Sequence, residues 1–211
     1  MNSYLITASL LNSLKYYLGS DYANREDFLK TLSREKFEPN EAMQKGIDFE
    51  NDIQKVCNGT YLYYDFDCPS ENKSVDKVID YEKLITKLGE EVKGGYWQES
   101  VKKQFEVAGT RILLYGRCDV IKGDTVYDIK YTKNYNLGKF QESTQHLIYM
   151  FCSGLDKFKY LVSDLKSYWI EEYVKQSNIE AKLRSEIMQF LDYLDRDKEA
   201  NELFYSKWKS K

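Results

Sequence analysis

Hydrophobic positions along the chain change period roughly at its midpoint. In the first half they recur every three or four residues, the signature of one buried helix face. "TASLLNSLKYYL" predicts a helix over Thr7–Leu18 with Thr7 or Ser9 as its cap. A second helix is predicted around Tyr22–Leu32 and a third over Glu41–Val56, where Met43, Ile47, Ile53 and Val56 line up with Phe49 alongside. A mixed loop carrying Pro69 leads to a helix over about Val75–Glu91, ended by "KGG". From there the pattern turns strand-like. "YWQESVKKQFEVAG" is expected to pair with Arg111–Ile121, and "KFQESTQHLIYMFCSG" reads as a helix stopped by Gly154. Two strands, "FKYLVSD" and "SYWIEEYVK", and an amphipathic helix over about Asn178–Leu194 complete the order. Helices mixed with strands in this way predict an α/β class.

The run "YGRCDVIKGDTVYDIKYT" contains two stretches rich in Val, Ile, Tyr and Thr, joined at Gly123-Asp124. Gly in the first position of a two-residue loop predicts a type II′ hairpin. Counting outward sets Lys122 opposite Thr125, Ile121 opposite Val126, Val120 opposite Tyr127 and Asp119 opposite Asp128. Two residues further, on the same face, Arg117 meets Lys130. Facing residues lie only ~4.5–5.5 Å apart, and like charges there repel. The acidic pair therefore calls for a compensating cation, with a divalent metal as the economical candidate. The plain alternative is a solvated face of an ordinary hairpin, since a slip of one residue removes the facing relation.

Composition narrows the chemistry. The chain has 211 residues, enough for one domain with a sizeable core, and it holds 19 Tyr, 10 Phe and 3 Trp against two prolines, so regular structure should dominate. A net charge of −3 argues against general coating of polyanions but leaves room for a local basic cleft. The four cysteines show no metal-type spacing. Together with a start that lacks a signal-peptide pattern, and with no run of membrane-spanning length, they place the expected protein in a reducing cytoplasm. One histidine, His146, excludes any site built on several histidines and reads as a packing residue. Any metal would thus have oxygen ligands, which suit Mg²⁺, Mn²⁺ or Ca²⁺.

Two further polar sites interrupt apolar faces. Glu50 lies between Ile47 and Ile53, where a lone carboxylate is costly unless paired or bound to metal, whereas Asp48 and Asp52 read as solvated. Gln145 and Tyr149 share one face of a nearly all-apolar helix, and could equally satisfy each other or the backbone.

In chain order, helix Glu50, strand Asp119, strand "DIK" at Asp128–Lys130 and helix "QHLIY" at Gln145–Tyr149 resemble the PD-(D/E)XK nuclease superfamily, in particular its RecB-like and phage-exonuclease branch. The resemblance covers about residues 42–154. It implies a single domain over 1–211 with a restriction-endonuclease-like mixed sheet flanked by helices. Within it, 1–40 is a helical elaboration, 41–154 carries the motifs, and 155–211 adds the completing strands and helix. It also implies divalent-metal-dependent hydrolysis of DNA, exonuclease-like, in recombination, repair or phage DNA processing. Carried over by residue, Glu50, Asp119 and Asp128 are the acids and Lys130 the lysine, while the Ile129 carbonyl joins the acids as a ligand for Mg²⁺ or Mn²⁺. Gln145 and Tyr149 support the site and contact DNA. Arg117 and Lys133 are added as substrate-binding residues; Lys133 and Lys139, just beyond the motif, are either phosphate contacts or ordinary surface lysines. The opening helix is similar to that of RecB-like nucleases, but the Cys-Pro that often follows is missing, as is the cysteine set of an iron–sulfur cluster, so no cluster is expected. The rival expectation is a catalytically silent module of the same fold that binds nucleic acid or a protein. A small-molecule domain finds no glycine-rich phosphate loop in "KGG" or "KGD".

Overall fold

The computed structural model describes residues 3–36, 38–63 and 75–210, with the side chains of 75–79 left out. The expected loop around Cys68 and Pro69 lies outside the described residues. A mixed six-stranded sheet is flanked by helices on both faces, as the α/β expectation required.

The chain opens with strand β1 (Ser3–Thr7) and helix α1 (Ala8–Gly19), whose cap Thr7 accepts the Leu10 N–H. Helices α2 (Arg25–Ser33) and α3 (Glu41–Cys57) follow, capped by the side chains of Asn24 and Asn40. Beyond them come α4 (Val75–Val92), β2 (Tyr96–Val107), β3 (Thr110–Lys122) and β4 (Thr125–Tyr131). Helix α5 (Gln145–Ser153), β5 (Lys157–Ser163), β6 (Tyr168–Val174), α6 (Ile179–Arg196) and α7 (Lys198–Lys207) end the order.

The hairpin turn is as expected: Gly123 has φ +60° while Asp124 does not take a positive φ, which fits type II′. Three expectations need correction. The N-terminal 1–40 segment is more than a helical addition, because β1 pairs in parallel with β3, from Ser3 with Arg111 to Thr7 with Tyr115. Helix α5 starts only at Gln145, because residues 136–143 form successive tight turns and Asn12 Oδ1 accepts the Thr144 N–H at 2.9 Å. Helix α7 was not anticipated at all.

Strand β3 has β2 along one edge. Its other edge is shared: β1 pairs with Arg111–Tyr115, and β4 pairs only with Val120–Lys122. Between them, Gly116–Asp119 have no neighbouring strand on that edge among the described residues. Since β1 is parallel and β4 antiparallel to β3, both point their carboxyl ends into this gap, a topological position that favours ligand binding. One apolar cluster packs α1, α5 and α6 on one sheet face, and a second packs α3 and α4 on the other.

Candidate active site

The predicted register holds from Lys122–Thr125 to Val120–Tyr127 and then stops. Asp119 and Asp128 are therefore not a ladder pair, and Arg117 does not face Lys130, which corrects the sequence expectation. Two observations give the physical reason. Asp119 Oδ2 accepts the Ile129 N–H at 2.7 Å, so a side chain replaces the carbonyl that a continuing ladder would supply. In addition, Cys118 belongs to the first apolar cluster and Val120 to the second, although residues two apart should share a face. The alternation reverses at Asp119. On β2 the opposing position is Gln98, whose φ of +57° is rare for a residue with a side chain. The same reversal occurs there, with Val101 on one cluster and Trp97 against the other.

Into this gap the fold brings side chains from both faces of the sheet. Asp128, 1 % exposed, accepts a hydrogen bond on Oδ1 from Gln145 Nε2. Its Oδ2 meets the Lys130 ammonium at 2.6 Å as an ion pair. Gln145 Nε2 also lies 3.2 Å from the Tyr149 hydroxyl, which donates to the Arg117 carbonyl at 3.0 Å and so satisfies an acceptor exposed by the gap. Gly116 makes room for this: a Cβ there would overlap the Tyr149 ring. From the opposite face α3 supplies Glu50, bound by Gln98 Nε2. Glu50 is half-buried at the margin of the helix's apolar face and not at its centre as expected. Phe49 and Ile53 form that face, while Ile47 is 43 % exposed and Met43 points outward too. Asp52 is likewise not simply solvated, since it accepts the Tyr81 hydroxyl at 3.0 Å.

Electrostatics tie these groups together. Burial, and next the charge of Asp128, push Asp119 up to about 8. Burial raises Asp128 as well, with Lys130 and Gln145 opposing. Glu50 rises through burial and the nearness of Asp128. Burial works against the Lys130 ammonium, but Asp128, Asp119 and Glu50 outweigh it and raise its pKa. The acids thus share a site in which burial and mutual repulsion outweigh the positive charge of Lys130.

The remaining predicted residues sit further out. Arg117 is exposed at the mouth, and Lys133 is exposed and close enough to Glu41 to influence it. Lys139 is exposed and binds Thr132 Oγ1 and the Asn134 carbonyl of its own loop. Gln98 was missed. Counting across the β2–β3 pairing from Val107–Thr110 places it opposite Asp119, which was a usable signal, but its positive φ has none. Buried Glu171 was missed also; it anchors the loop before α5 by accepting from Tyr135 at 2.6 Å and the Gly138 N–H at 3.1 Å.

The donor chemistry suits a hard divalent cation: crowded carboxylates whose pKa values are raised. Their present placement is not a closed coordination shell. Among the described residues, no three Asp, Glu, Cys or His side chains come together tightly enough to hold a metal ion as they stand.

No family model matches the chain, and no curated protein does. Among solved structures, the crystal structure of SSO0001 is similar over 78 % of this chain and 85 % of that one, at 15 % identity and a TM-score of 0.40. A likeness this distant carries no argument about function. No helix among the described residues is long and apolar enough to cross a membrane.

Proposed function

We propose that this chain is a divalent-metal-dependent deoxyribonuclease of the PD-(D/E)XK type, acting in the cytoplasm in an exonuclease-like manner. The observation that carries the reading is that Glu50, Asp119, Asp128, Lys130, Gln145 and Tyr149, spread over 100 positions of sequence (50 to 149), meet at one break in the sheet.

Glu50, Asp119 and Asp128, with the Ile129 carbonyl, would hold Mg²⁺ or Mn²⁺. Such an ion supplies an activated water and offsets charge gathering on the phosphate. The chain's own residues supply the rest. Lys130, whose ammonium pairs with Asp128, offers a fixed positive charge to the phosphate. Gln145 orients Asp128, and Tyr149 fixes the backbone of β3 beside it. Arg117 at the mouth, and Lys133 beyond it, would receive backbone phosphates.

Incubation with linear and circular DNA in Mn²⁺, then in EDTA, tests this. The expected result is loss of linear DNA that EDTA stops. No cleavage in either Mg²⁺ or Mn²⁺ contradicts it. A specific observation favours a second reading, a nuclease-fold module that binds nucleic acid or protein without cutting: Lys130 and Gln98 already engage two of the acids. The same assay separates the two.

A further inference from the structure

Among the described residues, nothing covers one stretch of sheet face next to the candidate site. Residues opposite one another across β2 and β3 share a face, and the set Ser100–Arg117, Lys102–Tyr115, Gln104–Leu113 and Glu106–Arg111 points away from the first apolar cluster. Its β2 members and both arginines are exposed, whereas the alternate set, Val101, Phe105, Ile112 and Leu114, is buried. Strand β1 extends the face with Thr7 beside Tyr115. The strip carries three cations, Lys102, Arg111 and Arg117, against one acid, Glu106, in a chain whose net charge is −3. At its centre lies Tyr115, half-buried, with its hydroxyl 3.0 Å from Ser100 Oγ and Lys102 directly across the ladder. From Tyr115 the strip runs along β3 to Asp119, four residues or about 13 Å at ~3.3 Å per residue.

We infer that this β1–β3–β2 face is the binding track for single-stranded nucleic acid leading into the candidate active site. A ring fixed on a sheet and flanked by cations offers what an unpaired base and its phosphates need, a stacking surface beside positive charge. A duplex buries its base faces within its own stack and cannot use the ring. Charge excess and continuity with Asp119 select this occupant. The inference deepens the nuclease reading and rests on it for the direction in which the strand is delivered.

Fluorescence anisotropy in EDTA tests binding without chemistry, using a labelled oligothymidylate of about 15 nucleotides, within the usual site sizes, and a hairpin duplex of the same length. The single strand is expected to bind more tightly. Tyr115→Ala should weaken it roughly tenfold, as loss of one stacked base does. Tyr115→Phe, which keeps the ring, should bind like wild type. Lys102→Ala, at an exposed position that folding does not need, should lower the slope of log K against log salt by about 0.7, the contribution of one phosphate on a single strand. Lys198→Ala on α7, 91 % exposed in its side chain, is the control and should change nothing. Equal or tighter duplex binding, no binding, or unchanged affinity and salt slope in Lys102→Ala overturns the track. Binding through Tyr115 and Lys102 with no cleavage in Mn²⁺ sinks the nuclease reading and leaves the track. Cleavage that is indifferent to both substitutions does the reverse.

Discussion

Asp119 has left the β-ladder to hold the backbone of the very segment that carries the second acid. Its carboxylate on the Ile129 N–H fixes Asp128 and Lys130 on either side of that residue. In the proposed nuclease reading Lys130 serves as positive charge. Lys130→Ala should reduce DNA cleavage at least a hundredfold, on the order of 3 kcal/mol for a lost charge-stabilising donor, while Mn²⁺ binding persists; turnover near wild type would remove Lys130 from the site. His146, the neighbour of Gln145, titrates differently. Burial, with Lys182 and Lys15 adding to it and Glu171 opposing, lowers its imidazole to about 4 from 6.5. The unfolded chain therefore takes up a proton below pH 6.5 that the folded chain refuses. The stability tied to the neutral ring is present above pH 6.5 and is lost as the pH falls toward 4, at up to ~1.4 kcal/mol per pH unit. His146→Phe keeps a ring against Tyr173, stacked at 4.3 Å, and removes the titration. Urea unfolding of both proteins from pH 7 to 4.5 should show a shallower decline for the variant, and parallel declines would refute the assignment.

The β2–β3 ribbon is the element that builds the site, by exchanging its two faces at Gln98 and Asp119. A left-handed Gln costs about 1 kcal/mol, and the backbone retains it where its amide binds Glu50. Gln98→Gly should thus raise stability by about that amount and lower cleavage, because Glu50 loses its support; a lower melting temperature would mean that the side chain is needed for folding. What the sequence disclosed at this scale was local. The Gly123 turn, the cap at Thr7 and the first three cross-strand pairs follow from short-range chemistry. The departure of Asp119 from the ladder depends on Ile129, on α5 and on β1, none of which sequence spacing reveals. Strand β1 was hidden for a related reason, since five residues that pair in parallel with a strand over 100 positions away carry no turn to announce them. On α3 helical spacing was read correctly and Phe49, Ile53 and Val56 pack inside as expected, whereas Met43 and Ile47, put inside with them, are exposed.

Across the whole molecule, two apolar clusters close over opposite faces of the sheet and leave a break where β1 and β4 both end, so Glu50 from one face can meet Asp128, Gln145 and Tyr149 from the other through it. The candidate residues themselves were legible from the sequence as a series, whereas the break that unites them was not. If the account is right, divalent cation should be the missing partner of the crowded acids, and folding stability should report it. Mn²⁺ at a hundredfold excess over its Kd stabilises a protein by about 2.7 kcal/mol. The most direct measurement is thermal unfolding of wild type and Asp119→Asn, each in EDTA and in Mn²⁺. In EDTA the variant, relieved of one of two repelling acids, should melt above wild type; in Mn²⁺ wild type should rise well above its EDTA value and the variant much less. A variant that melts lower in EDTA and keeps the full Mn²⁺ shift would make these acids structural and contradict the metal site.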